Sequence, residues 1–482
     1  MRRISQAIQR HARHAPDQTL LHHEGHGLRY GQLPAYVHAC AEHLSQTLPG
    51  PDPDRPVALV GGATPSLVVH LLALWQGGHG VLLLSDRLPE AERQRIVDQA
   101  GAHAWVHADQ HDPEPHPDPA APPVDLHGWL ALPSSGVTGL PKVVRREAAA
   151  IDAVAVQVHD SVGYQADDRV FAAVPLTHAY GLEAGLLAPN LAGARVELDS
   201  RFDPTQLGAR LRETRATILP AVPAMVDMLV EMHAGPQDAD PRPYPHIRKL
   251  LCAGAPLPEP LWRRCRDTLG LHAANYYGAT EVGSVCLADP HDPNHNPAWI
   301  GRPMTGVRMA VVDTRTREPL PRGELGEIAI DAPSMMSGYL TAKPDLDRTT
   351  DRAVIDGRTC FLTGDLGVQH PGGAFQFVAR QKLLIEVGAN KVNPMEVEAI
   401  LRLHPAVREA LVTGDRCTPT ITRLHARIEP TRPTETPSPA DLRDHCRQHL
   451  APWKIPRTFD FETLPRTALG KVIRTAAPAQ AG

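Results

Sequence analysis

Residues 134–142 have the sequence Ser-Ser-Gly-Val-Thr-Gly-Leu-Pro-Lys, the most informative stretch of the chain. The glycines allow the backbone N–H groups to turn toward an anion, the hydroxyls add donors, and Lys142 adds a compact positive charge. The spacing is not that of the Walker loop G-x-x-x-x-G-K-[ST], because Gly136 and Gly139 are two residues closer together and Val143 follows the lysine. The stretch predicts an ATP site of another kind, and the competing interpretation is a surface turn rich in Ser and Gly.

Strand-like and helical patterns alternate on both sides of this loop. Upstream, buried strands are predicted at 57–60 and 81–84, with a helix starting at Thr64-Pro65 between them and a second helix at 90–100. Downstream, further strands are predicted at 170–174, 195–198, 216–219 and 249–253. Such alternation is typical of an α/β layered domain. From about 300 to 378, short strand-like runs follow one another without helices, which predicts a small β-rich subdomain.

Composition excludes several classes of function. With 482 residues the chain is expected to form two to four folding units. The 49 Lys and Arg against 54 Asp and Glu leave no basic surface for nucleic acid, so we expect no nucleic-acid partner. Seven cysteines without close pairing favour a reducing, cytoplasmic location. The longest apolar run, 67–75, is far shorter than a membrane span, so no membrane insertion is expected.

Four further segments carry polar groups at strand ends or on loops: residues 174–181 (VPLTHAYG), 275–281 (NYYGATE), 361–366 (FLTGDL) and 464–471 (LPRTALGK). The first places His178 and Tyr180 at the carboxyl edge of a strand, where α/β domains bind ligands. The second offers an aromatic face, a hydroxyl and a carboxylate that suit a base and Mg²⁺. In the third, an acid after a tight turn suits two ribose hydroxyls. The last places Lys471 on a glycine-containing loop near the C terminus, from which a moving domain can deliver its charge into a cleft.

Each segment alone has a simpler explanation. His178 is equally well a buried structural histidine, and Lys471 a solvated surface lysine. The order of the blocks, together with Arg380 in Ala379-Arg380-Gln381-Lys382, resembles the adenylate-forming superfamily of acyl-CoA synthetases, aryl-acid and nonribosomal adenylation domains, and luciferases. This resemblance covers nearly the whole chain.

The resemblance implies an α/β fold with a large multi-layer N-terminal domain, residues 1–380, that includes a small β-barrel-like subdomain at about 300–378. A small mobile α+β C-terminal domain, residues 381–482, would carry the catalytic lysine and rotate about a hinge at Lys382. ATP and Mg²⁺ are the implied cofactors, and a small carboxylic acid is the implied substrate.

The resemblance also implies roles for individual residues. The nucleotide-binding residues would be Ser134, Ser135, Gly136, Thr138, Gly139, Lys142, Gly254, Tyr277, Thr280, Asp365 and Arg380. Within this set, Tyr277 stacks on adenine, while Asp365 and Arg380 hold the ribose. Catalytic roles are implied for Lys471, His178 and Glu281, with Glu281 also serving the metal. Lys471 would contact the substrate carboxylate and the α-phosphate, where negative charge develops as the carboxylate attacks phosphorus.

The substrate pocket implied by the resemblance is lined by His178, Tyr180, Cys252, Gly254 and Ala279. It contains no acid that could pair with an ammonium group, so we set amino acids aside and expect an aryl acid or a medium acyl chain. Tyr180 is expected to hydrogen-bond a substituent of an aryl substrate or to stack on its ring.

The thiol tunnel implied by the resemblance passes Gly388, and CoA is the expected acceptor. Glu386 and Ala389 are unusual in this segment, because an acid or an extra methyl group would narrow the tunnel or repel the phosphorylated nucleotide of CoA. The alternative acceptor is therefore the phosphopantetheine of an acyl carrier protein, which uses the same tunnel without that nucleotide.

Two further hypotheses belong to other classes of protein. Val137 removes a hydroxyl from the phosphate loop, which would suit a nucleotide-binding relative without catalytic activity. A hydrolase that uses Ser135 is disfavoured, because no G-x-S-x-G motif surrounds it. The sequence thus predicts an ATP-dependent acid–thiol ligase that forms an acyl or aryl adenylate and then a thioester.

Overall fold

The computed structural model of the chain describes residues 1–110, 122–134, 142–200, 203, 205–233, 242–292, 295–341, 351–387, 390–418, 421–432, 436–466 and 472–474. Its helices are α1 (Arg2–His14), α2 (Leu33–Thr47), α3 (Pro65–Gln76), α4 (Glu90–Ala100), α5 (Ala148–Val162), α6 (Ala179–Leu182), α7 (Ala188–Ala192), α8 (Leu207–Thr214), α9 (Pro223–Met232), α10 (Glu259–Leu269), α11 (Pro394–Arg402) and α12 (Pro439–Arg447). A π-helical turn, Glu183–Leu187, joins α6 to α7.

The strands in the first two thirds of the chain are β1 (Thr19–His23), β2 (His26–Arg29), β3 (Val57–Gly61), β4 (Gly80–Ser85), β5 (Ala104–His107), β6 (Trp129–Pro133), β7 (Val143–Arg146), β8 (Arg169–Ala172), β9 (Arg195–Leu198), β10 (Ile218–Ala221), β11 (Lys249–Cys252), β12 (Ala273–Ala279), β13 (Gly283–Leu287), β14 (Trp299–Pro303) and β15 (Arg308–Val312). The later strands are β16 (Leu325–Asp331), β17 (Gly338–Leu340), β18 (Arg352–Ile355), β19 (Arg358–Gln369), β20 (Phe375–Arg380), β21 (Ile385–Val387), β22 (Asn390–Val392), β23 (Val407–Thr418), β24 (Ile421–Pro430) and β25 (Thr458–Phe461).

One sheet surrounds the base of the 134–142 loop. Its strand order is β17-β7-β6-β4-β3-β5. Strands β5, β3, β4 and β6 are parallel, whereas β7 pairs antiparallel with β6 and β17 pairs antiparallel with β7. The central strands β3 and β4 are continuous apolar runs, and α3 packs against both of them. Buried parallel strands require apolar residues on both faces, so these two runs were recognisable in the sequence.

A second, longer sheet carries most of the other motifs. Its order is β15-β16-β19-β20-β14-β13-β12-β11-β10-β8-β9-β1-β2, with β18 paired to β19. Strands β10, β11 and β12 are parallel, and β12 turns back into β13 as an antiparallel hairpin. In the described part of 300–378 no helix interrupts the strands, as predicted, although β17 pairs with β7 of the first sheet. This pairing joins that region to the strand beyond the 134–142 loop.

Local sequence signals set several helix ends. Thr64 caps α3 by accepting a hydrogen bond from the Leu67 N–H, and Pro65 occupies the first helical position. Gly101 ends α4 in the left-handed conformation, with φ of 64°. In α12, Ser438 and Asp441 form a capping box.

Residues after β20 build a separate small core. The antiparallel pair β23–β24, extended by β25, packs against α11 and α12 through Val397, Leu401, Leu442 and Cys446. The helices and strands here match the predicted α+β C-terminal domain. In the described portion of the chain, no helix has the length and apolar character needed to cross a membrane.

Candidate active site

Tyr277, Asp365 and Arg380 meet at one point in the structure. The Tyr277 hydroxyl donates to Asp365 Oδ2 at 2.9 Å, and Arg380 Nε donates to Asp365 Oδ1 at 2.8 Å. Asp365 and Arg380 are direct partners across β19 and β20, and Asp365 is only 3 % exposed. Burial and the Asp365 carboxylate raise the pKa of the Tyr277 hydroxyl well above its usual range, so it remains a neutral donor. These three predicted nucleoside residues therefore form one hydrogen-bonded group.

The T-G-D segment that contains Asp365 is a bulge within strand β19, so the prediction of a tight turn there was wrong. Leu362 pairs with Ala329 and Leu366 with Glu327, so three residues of β19 face a single residue of β16. Gly364, with φ of 69°, provides the left-handed conformation that the bulge needs. A bulge re-aims a side chain, which here directs Asp365 toward the next strand.

A second polar cluster surrounds Lys142. Its Nζ donates to Asp351 Oδ2 at 3.1 Å and lies 4.3 Å from the centre of the Tyr339 ring. The Tyr339 hydroxyl lies 3.2 Å from Glu281 Oε1 and 3.4 Å from Asp351 Oδ2. Lys142 and Glu281 were predicted to serve phosphate and metal, and Tyr339 connects them. Neither Tyr339 nor Asp351 was expected from the sequence, because the pairing of β17 with β7 brings Tyr339 beside this loop.

The oxygen donors of this cluster fit a magnesium ion. Glu281 is partly exposed, and its carboxylate lies beside that of Asp351 through the shared tyrosine hydroxyl. Mg²⁺ is usually held by one or two carboxylates together with substrate phosphates and water. Glu281 is thus suited to the metal role predicted for it.

The two ends of the 134–142 loop, which connects β6 to β7, are hydrogen-bonded to each other. The Ser134 N–H donates to the Lys142 carbonyl at 2.7 Å, and Pro133 pairs with Val143 across β6 and β7. Ser135, Gly136, Thr138 and Gly139 lie outside the described residues, as do Gly388 and Lys471.

The predicted substrate block, residues 174–181, follows strand β8 and leads into helix α6. His178 precedes α6 and is partly buried, and burial lowers its pKa, which favours a neutral imidazole at neutral pH. The Tyr180 hydroxyl donates to the Leu251 carbonyl at 3.0 Å, and its ring lies 5.0 Å from that of Tyr276. The Tyr180 hydroxyl, which we expected to donate to a substituent on a substrate ring, therefore already donates to the backbone. Tyr180 can offer a ligand its ring and the lone pairs of its oxygen.

Small residues flank this tyrosine pair. Cys252 is buried at the end of β11, Gly254 has φ of 84°, and Ala279 ends β12 and is partly buried. Tyr276, which was not among the predicted pocket residues, is buried and packs its ring against that of Tyr180.

The residues on both sides of Lys471 are anchored to the C-terminal domain. Arg466 and Val472 form a β-bridge, and Glu429 accepts hydrogen bonds from the Leu464 N–H and from Arg466, both at 3.1 Å. Arg474 forms an ion pair with Glu398, whose side chain is 3 % exposed and also accepts from a backbone N–H at 2.8 Å. Burial raises the pKa of Glu398, and the Arg474 charge opposes this.

The predicted hinge residue Lys382 lies in a short 3₁₀ turn, Gln381–Leu383, directly after β20. Its side chain is exposed. Beyond this turn, the Asn393 side-chain amide donates to the Val378 carbonyl at 2.8 Å, which connects the start of α11 to β20.

Comparison with known protein families gives two matches along the chain. Residues 8–128 and 129–340 match the model described as AMP-binding enzyme. Residues 396–471 match the model described as AMP-binding enzyme C-terminal domain. The first match alone covers more than half of the chain.

Similar proteins include a feruloyl-CoA synthase from Amycolatopsis, 30 % identical with 96 % of each chain covered. A fatty acid–acyl-carrier-protein ligase from Streptomyces coeruleorubidus is 29 % identical, covering 96 % of this chain and 93 % of its own. Among solved structures, the o-succinylbenzoate CoA synthetase of Bacillus subtilis, in complex with its acyl-adenylate intermediate, aligns with a TM-score of 0.83. It is 25 % identical and the alignment covers 97 % of this chain and 96 % of that one.

The substitution Asp365→Asn tests the nucleoside group. We expect an increase of about tenfold in the ATP concentration needed for half-maximal pyrophosphate exchange, since a charge-assisted hydrogen bond to Arg380 is lost. The control is Asp331→Asn, because Asp331 pairs with Arg358 at 3.4 Å on the same group of strands. An unchanged ATP dependence in the Asp365 variant would contradict the assignment.

The substitution Arg474→Met tests the anchoring of the lysine loop. It leaves the buried Glu398 carboxylate without its cation, so the loop end should lose its fixed position. We expect adenylate formation to slow by about tenfold with ATP binding unchanged, measured by single-turnover kinetics and by calorimetry. Arg447→Met, which removes a surface pair with Asp444 in the same domain, is the control and should behave as wild type.

Proposed function

The chain belongs to the AMP-binding enzyme family, and we propose that it is an ATP-dependent ligase that joins an aryl or medium-chain carboxylic acid to a thiol. The predicted resemblance to adenylate-forming enzymes, the α/β fold class and the AMP-forming ligase class are confirmed by the family match and the relatives. The cytoplasmic location stays a prediction.

One observation carries the assignment of roles within the site. A single β-hairpin carries Tyr277 in strand β12 and Glu281 in the turn that follows, four residues apart. Tyr277 is bonded to Asp365 and Arg380, while Glu281 reaches Lys142 through Tyr339. A nucleotide placed along this turn would have its ribose at the first group and its phosphates at the second. Adenine would contact the Tyr277 ring.

The first half-reaction requires positioning and charge stabilisation. An oxygen of the substrate carboxylate attacks the α-phosphorus, a new acyl–phosphate bond forms, and the bond to the β-phosphate breaks with its electron pair leaving on pyrophosphate. Bound Mg²⁺ would neutralise the charge of the leaving phosphates. Lys142 and Lys471 would stabilise the phosphoryl oxygens, and Thr280 would donate its hydroxyl to the phosphate. Neutral His178 would line the acyl side of this centre.

In the second half-reaction, the thiol sulfur attacks the acyl carbon of the adenylate. The thiol proton is released, the acyl–oxygen bond breaks, and AMP departs with the electron pair. We propose that rotation of residues 381–482 about Lys382 separates the two steps by withdrawing Lys471. The thiol would then enter past Gly388.

The pocket favours a planar acid. The rings of Tyr180 and Tyr276 pack against each other with their centroids 5.0 Å apart, so a planar acid would stack on the partly exposed Tyr180 ring from its other side. The two hydroxyls do not add a charge to the pocket, because burial raises the pKa of both well above the usual value. Several relatives use such acids by name, including the feruloyl-CoA synthase and a 4-coumarate-CoA ligase of Narcissus pseudonarcissus. An aryl acid is therefore preferred to a medium acyl chain.

Pyrophosphate exchange with Lys471→Ala tests the first half-reaction. With ATP, Mg²⁺ and a panel of aryl and acyl acids, we expect wild type to exchange labelled pyrophosphate into ATP and the variant to lose about 10²-fold or more. Lys454→Ala is the control, because Lys454 is a lysine of the same domain that is paired with Glu396 at 2.6 Å. Unchanged exchange in the Lys471 variant would refute its role. ATP binding by wild type without exchange on any acid would favour the non-catalytic alternative.

The acceptor can be identified by weighing the products of the second half-reaction. The adenylate is offered to CoA and, in a separate reaction, to acyl carrier proteins bearing phosphopantetheine. We expect acyl-CoA to form, since the resemblance to CoA ligases is the broader one among the relatives. If only the carrier proteins gain the mass of the acyl group, the alternative acceptor is correct, in agreement with the acyl-carrier-protein ligase relative.

A further inference from the structure

A buried ion pair lies directly beneath the candidate site. Arg146 ends β7, four residues after Lys142, and Glu183 begins the π-helical turn, five residues after His178. Arg146 Nη1 and Glu183 Oε1 are 2.5 Å apart, and each side chain is 2 % exposed. Charges that are so deeply buried need hydrogen bonds to all of their donors and acceptors. The groups that form these hydrogen bonds show which segment the ion pair holds in place.

Both members of the pair bind the turn between β12 and β13. Arg146 donates from Nε and Nη2 to the Thr280 carbonyl, at 3.0 and 2.6 Å. Glu183 Oε2 accepts from the Ser284 N–H at 2.9 Å and from the Ser284 hydroxyl at 2.5 Å. The ion pair therefore forms hydrogen bonds to the hairpin on both sides of Glu281, at Thr280 and at Ser284.

The turn leaves no room between its backbone and the pair. Gly283 has φ of 78°, and a Cβ added there would lie 3.3 Å from Arg146 Nη1 and 3.4 Å from Glu183 Oε1. Within the turn, the Glu281 carbonyl accepts from the Met336 N–H at 2.7 Å. Buried protein groups thus bind the backbone of the turn, while the side chain of Glu281 stays partly exposed.

We propose that Arg146 and Glu183 are positioning residues that fix the turn so that Thr280 and Glu281 meet the magnesium-bound nucleotide. The inference rests on the proposed assignment of Glu281 to the metal. Neither member of the pair touches the substrate, and both act through the backbone carbonyl and N–H groups of the turn. Because Mg²⁺ demands near-ideal coordination geometry, a loosened carboxylate loses affinity for the metal even when its charge is unchanged.

The substitution Arg146→Lys separates the two functions of the arginine. A lysine ammonium can still pair with Glu183, but it cannot also reproduce the forked contact with the Thr280 carbonyl. The full-length protein is titrated by calorimetry with a non-hydrolysable ATP analogue, first in EDTA and then in Mg²⁺. We expect the affinity in EDTA to match wild type and the gain in affinity caused by Mg²⁺ to fall about tenfold, equivalent to about 1.4 kcal/mol.

A matched control is Arg248→Lys. Arg248 also pairs with a buried acid, donating to Asp168 Oδ1 at 2.8 Å, and also reaches a backbone carbonyl, that of Gly163, at 2.8 Å. It directly precedes β11, and its hydrogen bonds to Asp168 and Gly163 do not involve the β12–β13 turn, so its variant should keep the full gain from Mg²⁺. An equal gain in Arg146→Lys and wild type would overturn the proposal. Absence of any gain in wild type would instead overturn the metal assignment on which it rests.

A second variant covers the case in which Arg146→Lys does not fold. Ser284→Ala removes one hydroxyl donor from Glu183 and leaves the ion pair and the backbone N–H contact intact. We expect thermal unfolding close to that of wild type and a Mg²⁺ gain reduced by about threefold, in the same direction as for the arginine variant. A wild-type gain in a folded Ser284→Ala protein would count against the proposal.

Discussion

The buried pair of Arg146 and Glu183 is the interaction on which the rest of the site depends. Two charges removed from water are tolerated only when their remaining donors and acceptors find partners, and this pair finds them in the Thr280 carbonyl and in Ser284. Breaking such a pair typically costs about 3–5 kcal/mol, a large share of the roughly 5–15 kcal/mol that stabilises a domain. Strand β7, the π-helical turn and the β12–β13 hairpin are therefore locked in one arrangement, although they are far apart in sequence.

The acids of the site already face protein donors. Asp365 accepts hydrogen bonds from Arg380 and Tyr277. Glu281 accepts from Tyr339, and Asp351 accepts from Lys142. Each side chain is thus held near the place where a nucleotide would need it, and binding has less side-chain entropy to remove. The partners also compete with the ligand, so a nucleotide must exchange contacts within the cluster and cannot simply add new ones. The same hydrogen bonds therefore order the side chains before a nucleotide binds and must be partly replaced when it binds.

The sequence predicted the parts of the fold that depend on local patterns. Helix α4 has its predicted bounds because Pro89 and Gly101 mark its ends. Strand β9 was found because charged and apolar residues alternate along it (RVEL), the pattern that is typical of a strand. The bulge at Asp365 was predicted as a turn, since the register between two strands leaves no mark in one of them. Tyr339 and the Arg146 pair were missed because their contacts depend on which strands are neighbours and on which charges become buried. The structure brings the nucleoside residues together, while their ligand roles stay predictions.

In the C-terminal domain, buried carboxylates hold the segments that precede and follow residues 467–471. Glu398 and Glu429, both nearly buried, bind the segments on either side of residues 467–471, so those ends belong mechanically to the C-terminal core. If the loop were instead fixed to the large domain, rotation about Lys382 would have to break buried ion pairs at every turnover. With anchors in the small domain, the rotation that we propose about Lys382 would carry the ends of the loop together with that domain. The two half-reactions would then use one nucleotide site, because Lys471 would move and the site that receives its charge would not.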